Sequence, residues 1–203
     1  MKKYFYEAKS YEDAKNKALA ELKIDEDNII INILEEKQGI LKKNIKLEVI
    51  TINDIISFLK ETISQILNLM NIEANLEIRK REKNLEINIF SNNNSILIGK
   101  EGKTLDSLQN IIRQIALKEF GDKYRVMVDV ENYKTHRITN IERTARKIAR
   151  EVARTKVEAK LETMNSYERR IVHNTLSNNK YVYTESIGEE PNRYVVIKLK
   201  EEN

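Results

Sequence analysis

The chain has 203 residues, with 36 Lys and Arg against 32 Asp and Glu, and therefore a modest net charge of +4. It contains no cysteine and two histidines, which excludes disulfides, a thiolate nucleophile and a Cys/His metal cluster. No apolar run approaches the roughly 18 residues of a membrane span, and no apolar signal segment follows Met1-Lys2-Lys3. We therefore expect a cytoplasmic protein with no membrane insertion, no metal and no other cofactor.

Residues 1–50 are predicted to form a small α/β unit. Residues 3–8 suit a strand, and Ser10 is a suitable N-cap for a helix with an apolar face. Residues 28–34 and 45–50 alternate apolar with polar side chains in part, which is typical of strands, and Gly39 marks the turn between them. No catalytic constellation is found here.

Residues 51–133 predict the order α-β-β-α-α-β. Thr51 or Asn53 caps a first helix, and alternating residues at 76–78 and 85–89 indicate two strands. A later helix runs from residue 103 to about residue 120 and is closed by Gly121, and Val126, Val128 and Val130 then indicate a third strand. The segment joining the two later helices contains two glycines.

These glycines, Gly99 and Gly102, are two of only five in the chain, and they lie between an apolar run and a helical segment. Glycine suits a turn with positive φ or a close approach of backbone to a ligand. We expect the intervening Lys100 and Glu101 to be held out at the tip of such a turn. The N–H groups of the following helix would then face an anion bound at the turn.

Two phosphate-binding loops compete for this segment. Gly102-Lys103-Thr104 matches the end of a nucleotide-binding loop, but that loop needs a glycine at position 97, where this chain has leucine. The spacing instead favours the GXXG loop of KH domains, which clamps the backbone of about four nucleotides. Apolar residues on both sides of the loop are predicted to pack two short helices together: Ile96, Leu97 and Ile98 before it, and Leu105, Leu108, Ile111 and Ile112 after it. A helix–turn–helix joint without a ligand is the remaining alternative.

Residues 134–203 begin with a long helix in the most basic part of the chain. Residues 135–178 contain ten basic and five acidic side chains, so the whole positive excess lies there. Apolar residues recur on one face at Ile138, Ile141, Ala145, Ile148 and Val152, and the opposite face carries Arg143, Lys147, Arg150 and Arg154. This basic stripe suits either a phosphate backbone or a solvated surface.

A shorter helix follows, capped by Asn165 or Ser166. Arg169 and His173 are four residues apart and share one face of it, where an Arg fork and a ring N–H can hold one phosphate. A surface arginine beside a half-buried histidine is the alternative. No serine or acidic residue is spaced to complete a catalytic triad around His173. Two strands, at 181–187 and 193–199, close the chain around the turn that contains Pro191.

Several of these segments resemble one bacterial family. Residues 97–109 resemble the KH loop of the Jag, or SpoIIIJ-associated, RNA-binding proteins, and residues 164–173 are similar to their Arg-x-x-x-His domain. Residues 184–193 resemble that domain's closing hairpin. The N-terminal match at 37–41 is weaker. Ile40 stands where the family has an aromatic residue, and Lys42 stands where it usually has a second glycine. Ser166 also stands where the family usually has proline.

The resemblance implies an α+β fold with three small domains. These are a Jag N-terminal-like domain at 1–50, a type II KH domain at 51–133 and an Arg-x-x-x-His domain with a long basic helix at 134–203. The implied RNA contacts are Ile98, Gly99, Lys100, Glu101, Gly102, Lys103, Arg169, Arg170 and His173.

The same resemblance implies a non-enzymatic protein that binds single-stranded RNA, with a regulatory role in cell elongation and division and a small partner KH protein. A protein–protein adapter is the leading alternative, and an enzyme acting on nucleic acid is disfavoured because no acid or metal constellation is found. The oligomeric state stays open, a homodimer included.

Overall fold

The computed structural model describes residues 1–38 and 43–200. They form an α+β fold that divides into two compact units, Met1–Glu131 and Asn132–Asn203. The predicted turn at Gly39, with Ile40, Leu41 and Lys42 of the weaker family match, lies outside the described residues. Among the described residues, no helix is long and apolar enough to cross a membrane. The predicted domain boundaries after residues 50 and 133 stay predictions.

The first unit begins with a sheet packed against one helix. Its elements are β1 (Tyr4–Ala8), α1 (Tyr11–Leu22), a 3₁₀ turn (Glu26–Asn28), β2 (Ile29–Gln38) and β3 (Lys43–Thr51). The strands pair antiparallel in the order β1-β3-β2. Ser10 caps α1 by accepting a hydrogen bond from the N–H of Asp13, as predicted. Ala14 and Ala18 of α1 are fully buried against Leu47 and Val49 of the sheet.

The rest of the first unit has the predicted α-β-β-α-α-β order. Its elements are α2 (Ile52–Leu69), β4 (Ala74–Arg81), β5 (Asn84–Ser91), α3 (Asn94–Ile98), a 3₁₀ turn (Lys100–Gly102), α4 (Lys103–Phe120) and β6 (Arg125–Val130). In the sheet order β4-β5-β6, β4 pairs antiparallel with β5 and β6 pairs parallel with it. Thr51 caps α2, and Gly121 ends α4 with a positive φ of 76°.

Hydrogen bonds join these two parts into one unit. The hydroxyl of Tyr124 donates to the carbonyl of Asp27 over 2.8 Å, and Lys80 Nζ donates to the same carbonyl over 3.1 Å. Lys123 Nζ donates to the carbonyl of Ile29, and burial lowers the pKa of this lysine. The partners are more than 50 residues apart in the sequence, so no local pattern predicts them.

The second unit packs two helices on an antiparallel sheet. Its elements are α5 (Tyr133–Thr155), β7 (Ala159–Thr163), α6 (Ser166–Leu176), β8 (Val182–Ile187) and β9 (Tyr194–Leu199). The sheet order β7-β9-β8 leaves β7 at an edge. Asn165 is the N-cap of α6 and forms a capping box with Glu168. The strands β8 and β9 lie where the sequence predicts them, whereas the five-residue β7 was not predicted.

Candidate nucleic-acid interface

The turn between α3 and α4 has the backbone geometry that its glycines predict. Gly99 and Gly102 have φ values of 69° and 81°, and Glu101 between them also has a positive φ of 57°. Because Gly102 is the N-cap residue and has no side chain, α4 begins without a side-chain cap. The first N–H groups of α4 therefore face the turn, where a phosphate would complement the helix dipole.

Gly99 is required by the packing of the turn itself. A Cβ atom at this position would overlap the hydroxyl of Thr104 and would lie 2.8 Å from the Cβ of Thr104. The neighbouring Gly102 is buried. At Gly99 the absent side chain thus makes room for the first turn of α4, in addition to permitting the positive φ.

The two residues between the glycines differ in exposure. Lys100 is exposed at the turn, as predicted. The prediction that Glu101 is held out at the tip is wrong, because its side chain is only 12% exposed and its carboxylate lies 3.2 Å from Lys103 Nζ. The positive φ of Glu101 turns its side chain back toward the helix. Lys103 remains 57% exposed, so Lys100 and Lys103 are the cations that an approaching phosphate would meet.

The apolar residues around the turn are partly buried. Leu97 is fully buried, and Ile98 is half-buried beside the turn. The predicted packing of the two helices is wrong for Ile96 and Ile111, which are 56% and 50% exposed. Leu105, Leu108 and Ile112 of α4 are buried, as predicted.

In the second unit, the sequence-predicted Arg169 is buried and already paired. Its Nη1 donates to the carbonyl of Met164 over 2.9 Å. Its Nη1 and Nη2 both donate to Oε1 of Glu190, over 3.1 and 3.0 Å. The Arg169 side chain is 9% exposed and that of Glu190 is 63% exposed. The adjacent Arg170 is exposed. Arg169 therefore presents its guanidinium to a carboxylate on a solvent-exposed turn.

His173 lies between α6 and strand β8. Its Nδ1 is 2.6 Å from Thr184 Oγ1, and its Nε2 is 2.8 Å from Ser186 Oγ. Burial, together with the positive charges of Arg169 and Arg193, lowers the pKa of His173. The ring is therefore neutral at neutral pH, with one nitrogen donating to a hydroxyl and the other accepting from one.

Arg193 belongs to the same cluster and was not predicted from the sequence. Its Nε is buried and has no hydrogen-bond partner among the described residues. Arg169, His173 and Arg193 thus place two guanidinium groups and an imidazole near one another, and Glu190 supplies a carboxylate to this group. In the sequence, Arg193 is a basic residue just after the turn that contains Pro191. Its position near α6 follows only from the fold.

The basic stripe of α5 lies on the surface, as predicted. Arg143, Lys147, Arg150 and Arg154 are all exposed, while Ile141, Ala145, Ala149 and Val152 are buried on the core side. In the part of the chain that the structure describes, no group of three or more His, Cys, Asp or Glu side chains could hold a metal ion.

Three segments of this chain match models of known protein families. Residues 6–50 match the model of the Jag N-terminus, residues 56–128 that of the KhpA/KhpB KH domain and residues 139–199 that of the Arg-x-x-x-His (R-three-H) domain. The RNA-binding protein KhpB of Clostridium symbiosum is 41% identical over 97% of this chain and 91% of its own length. The chain belongs to the KhpB (Jag) family.

A second KhpB supports the same assignment over the full length. The RNA-binding protein KhpB of Bacillus subtilis is 32% identical over 95% of this chain and 96% of its own. The KhpB of Streptococcus pneumoniae serotype 2 is 30% identical over 66% of this chain and 41% of its own. The predicted family and the α+β fold with three domains are therefore confirmed, in the order Jag N-terminus, KH domain and Arg-x-x-x-His domain.

Proposed function

We propose that this chain is a non-enzymatic, cytoplasmic RNA-binding protein that holds single-stranded RNA at two places. One is the Gly99–Gly102 turn of the KH domain, and the other is the Arg169/His173 site of the Arg-x-x-x-His domain. The observation that carries this proposal is the turn itself, in which exposed Lys100 and Lys103 stand beside the uncapped start of α4. The relatives' shared name, RNA-binding protein, points to the same function.

At the turn, the sugar–phosphate backbone of the RNA lies against Gly99–Gly102. A phosphate accepts hydrogen bonds from the first N–H groups of α4, and Lys100 and Lys103 neutralise its charge. Glu101 keeps its carboxylate close to Lys103, which orients that lysine and reduces its net attraction for phosphate. Lys100 is therefore the stronger electrostatic contact, and a base rests on the half-buried Ile98.

At the Arg169/His173 site, a phosphate exchanges places with Glu190. Oε1 of Glu190 now accepts hydrogen bonds from both terminal nitrogens of Arg169, which are the donors that a phosphate would use. Because Glu190 is mostly exposed, it can leave the fork without disturbing the core. Arg193, which lies close enough to His173 to lower its pKa, then adds positive charge at this site.

Two sites on one chain strengthen each other. Once the first site is occupied, the second meets the same RNA strand at a high effective concentration. Family resemblance extends the proposal to a regulatory role in cell elongation and division with a small partner KH protein. This biological role and the partner rest on the family alone.

The experiment is a titration of labelled single-stranded RNA against the full chain, followed by fluorescence anisotropy. Lys100→Asp/Glu101→Asp tests the turn, and Lys118→Asp/Glu119→Asp is the matched control, since it makes the same change in an adjacent Lys-Glu pair at the far end of α4. We expect about tenfold weaker binding for the first variant and little change for the control. Binding that survives unchanged in both variants would mean that the turn does not contact RNA.

A further inference from the structure

A groove in the Arg-x-x-x-His domain runs between helix α5 and the edge strand β7. It encloses about 190 Å³, and its floor is apolar, being formed by Ile141, Ile148, Leu161 and Met164. Its rim is polar and includes Asn140 and Thr144, both exposed residues of α5. Met164 also borders the Arg169/His173 site, because its carbonyl accepts a hydrogen bond from Arg169.

An unsatisfied hydrogen-bond donor lies at this groove. Arg137 lines it, with Nε donating to Glu168 over 2.7 Å and Nη1 donating to Glu162 over 3.0 Å. The third nitrogen, Nη2, is buried and has no hydrogen-bond partner among the described residues. A buried donor without a partner is costly, so a ligand in the groove that offered this nitrogen an acceptor would be stabilised.

The charges around Arg137 decide which acceptor fits. The carboxylates of Glu162 and Glu168 already neutralise its guanidinium and disfavour a phosphate or a carboxylate there. Lys160, which also lines the groove, lies 3.9 Å from the centroid of the Tyr194 ring. A neutral ligand that combines a flat apolar face with a carbonyl oxygen satisfies both the floor and the free Nη2. A nucleobase has this chemistry.

The basic stripe of α5 lies next to the groove. Arg143 belongs to the stripe and donates from Nη2 to Oδ1 of Asn140 on the groove rim, over 3.1 Å. Lys147, Arg150 and Arg154 continue the stripe along the exposed side of the helix. A strand whose phosphates follow the stripe would thus have a base within reach of the groove.

We infer that the α5–β7 groove is a base-binding subsite for a nucleobase with a carbonyl acceptor, read by Arg137 Nη2, while the α5 stripe binds the adjacent phosphates. Uracil presents such an oxygen, whereas adenine has no carbonyl oxygen and its amino group is a donor that Nη2 cannot use. This inference rests on the proposed RNA binding and adds to it a base preference and a third contact region.

The test compares the affinities of the full chain for labelled oligo(U) and oligo(A). We expect oligo(U) to bind about tenfold more tightly. Arg137→Lys keeps the positive charge between the two glutamates but removes the free nitrogen, and Thr144→Leu fills the groove from an exposed position. Both should reduce the preference to less than about twofold. Thr135→Leu, at an exposed position of α5 outside the groove, should keep it.

The outcomes separate this inference from the proposed function. A preference that is lost in the two groove variants but kept in Lys100→Asp/Glu101→Asp supports the subsite. Equal affinity of the wild type for both RNAs, or a preference that survives Arg137→Lys and Thr144→Leu, overturns the subsite and leaves the proposed function standing. Failure of the wild type to bind either RNA overturns both. Thermal melts of each variant verify that it is folded.

Discussion

Replacing Glu190 by glutamine tests whether the carboxylate and an RNA phosphate compete for Arg169. Both terminal nitrogens of Arg169 bond to one oxygen of Glu190, at 3.1 and 3.0 Å. The Arg169 side chain is buried but that of Glu190 is 63% exposed, so solvent screens the pair from the Glu190 side and it contributes about 0.5 to 1 kcal/mol. An incoming phosphate must overcome this amount, so Glu190→Gln should tighten RNA binding about two- to fivefold.

The same substitution has a distinct effect on stability. Glutamine keeps an oxygen that can accept from Arg169 but loses the charge, so the free energy of unfolding should fall by less than about 1 kcal/mol. The assay is fluorescence anisotropy with a short labelled single-stranded RNA, paired with a thermal melt. Glu189→Gln is the control, because it removes the same charge from the neighbouring position of the same turn. If Glu190→Gln binds RNA no more tightly than Glu189→Gln, the competition does not occur.

Three further predictions concern stability. Because the pKa of His173 is lowered in the folded chain, the unfolded chain takes up a proton first as the pH falls. The free energy of unfolding should therefore be highest above the ordinary histidine pKa of 6.5 and should decline below it. Urea titrations across that pH range should show a weaker decline in His173→Gln. Gly99→Ala should cost about 1 to 3 kcal/mol more than Gly121→Ala, because both place alanine at positive φ but only the first overlaps a neighbour; equal costs in urea denaturation would contradict this. Tyr124→Phe should lose about 1 kcal/mol through its missing bond to Asp27, and a change near zero would mean that the hydroxyl does not stabilise the unit.

The architecture of this chain is predictable wherever a local pattern has one physical meaning. Alternating valines at 126–130 correctly predicted β6, and glycine at 121 correctly predicted the end of α4. The short β7 was not predicted, because its five residues lie at a sheet edge and alternate too briefly to be distinguished from a loop.

The sequence predicted some residues of the candidate site, but it did not predict which side chains contact one another there. Helical spacing correctly placed Arg169 and His173 on α6, but Glu190 and Arg193 reach them only through the β8–β9 turn. The sequence likewise indicated glycine at 99 without showing that Thr104, five residues later, fills the space of its missing side chain. Glu101 was mistaken for an exposed residue, because its positive φ could not be read from the sequence.

The salt dependence of RNA binding tests the central claim most directly. Each phosphate contact on a single strand should contribute a slope of about −0.7 to the dependence of the logarithm of affinity on the logarithm of salt concentration. We predict a steep negative slope for the wild type and a slope shallower by about 0.7 for Lys100→Asp/Glu101→Asp, which loses one phosphate contact. The Lys118→Asp/Glu119→Asp control should keep the wild-type slope. A wild-type slope near zero, or identical slopes in all three proteins, would contradict a phosphate clamp at the Gly99–Gly102 turn.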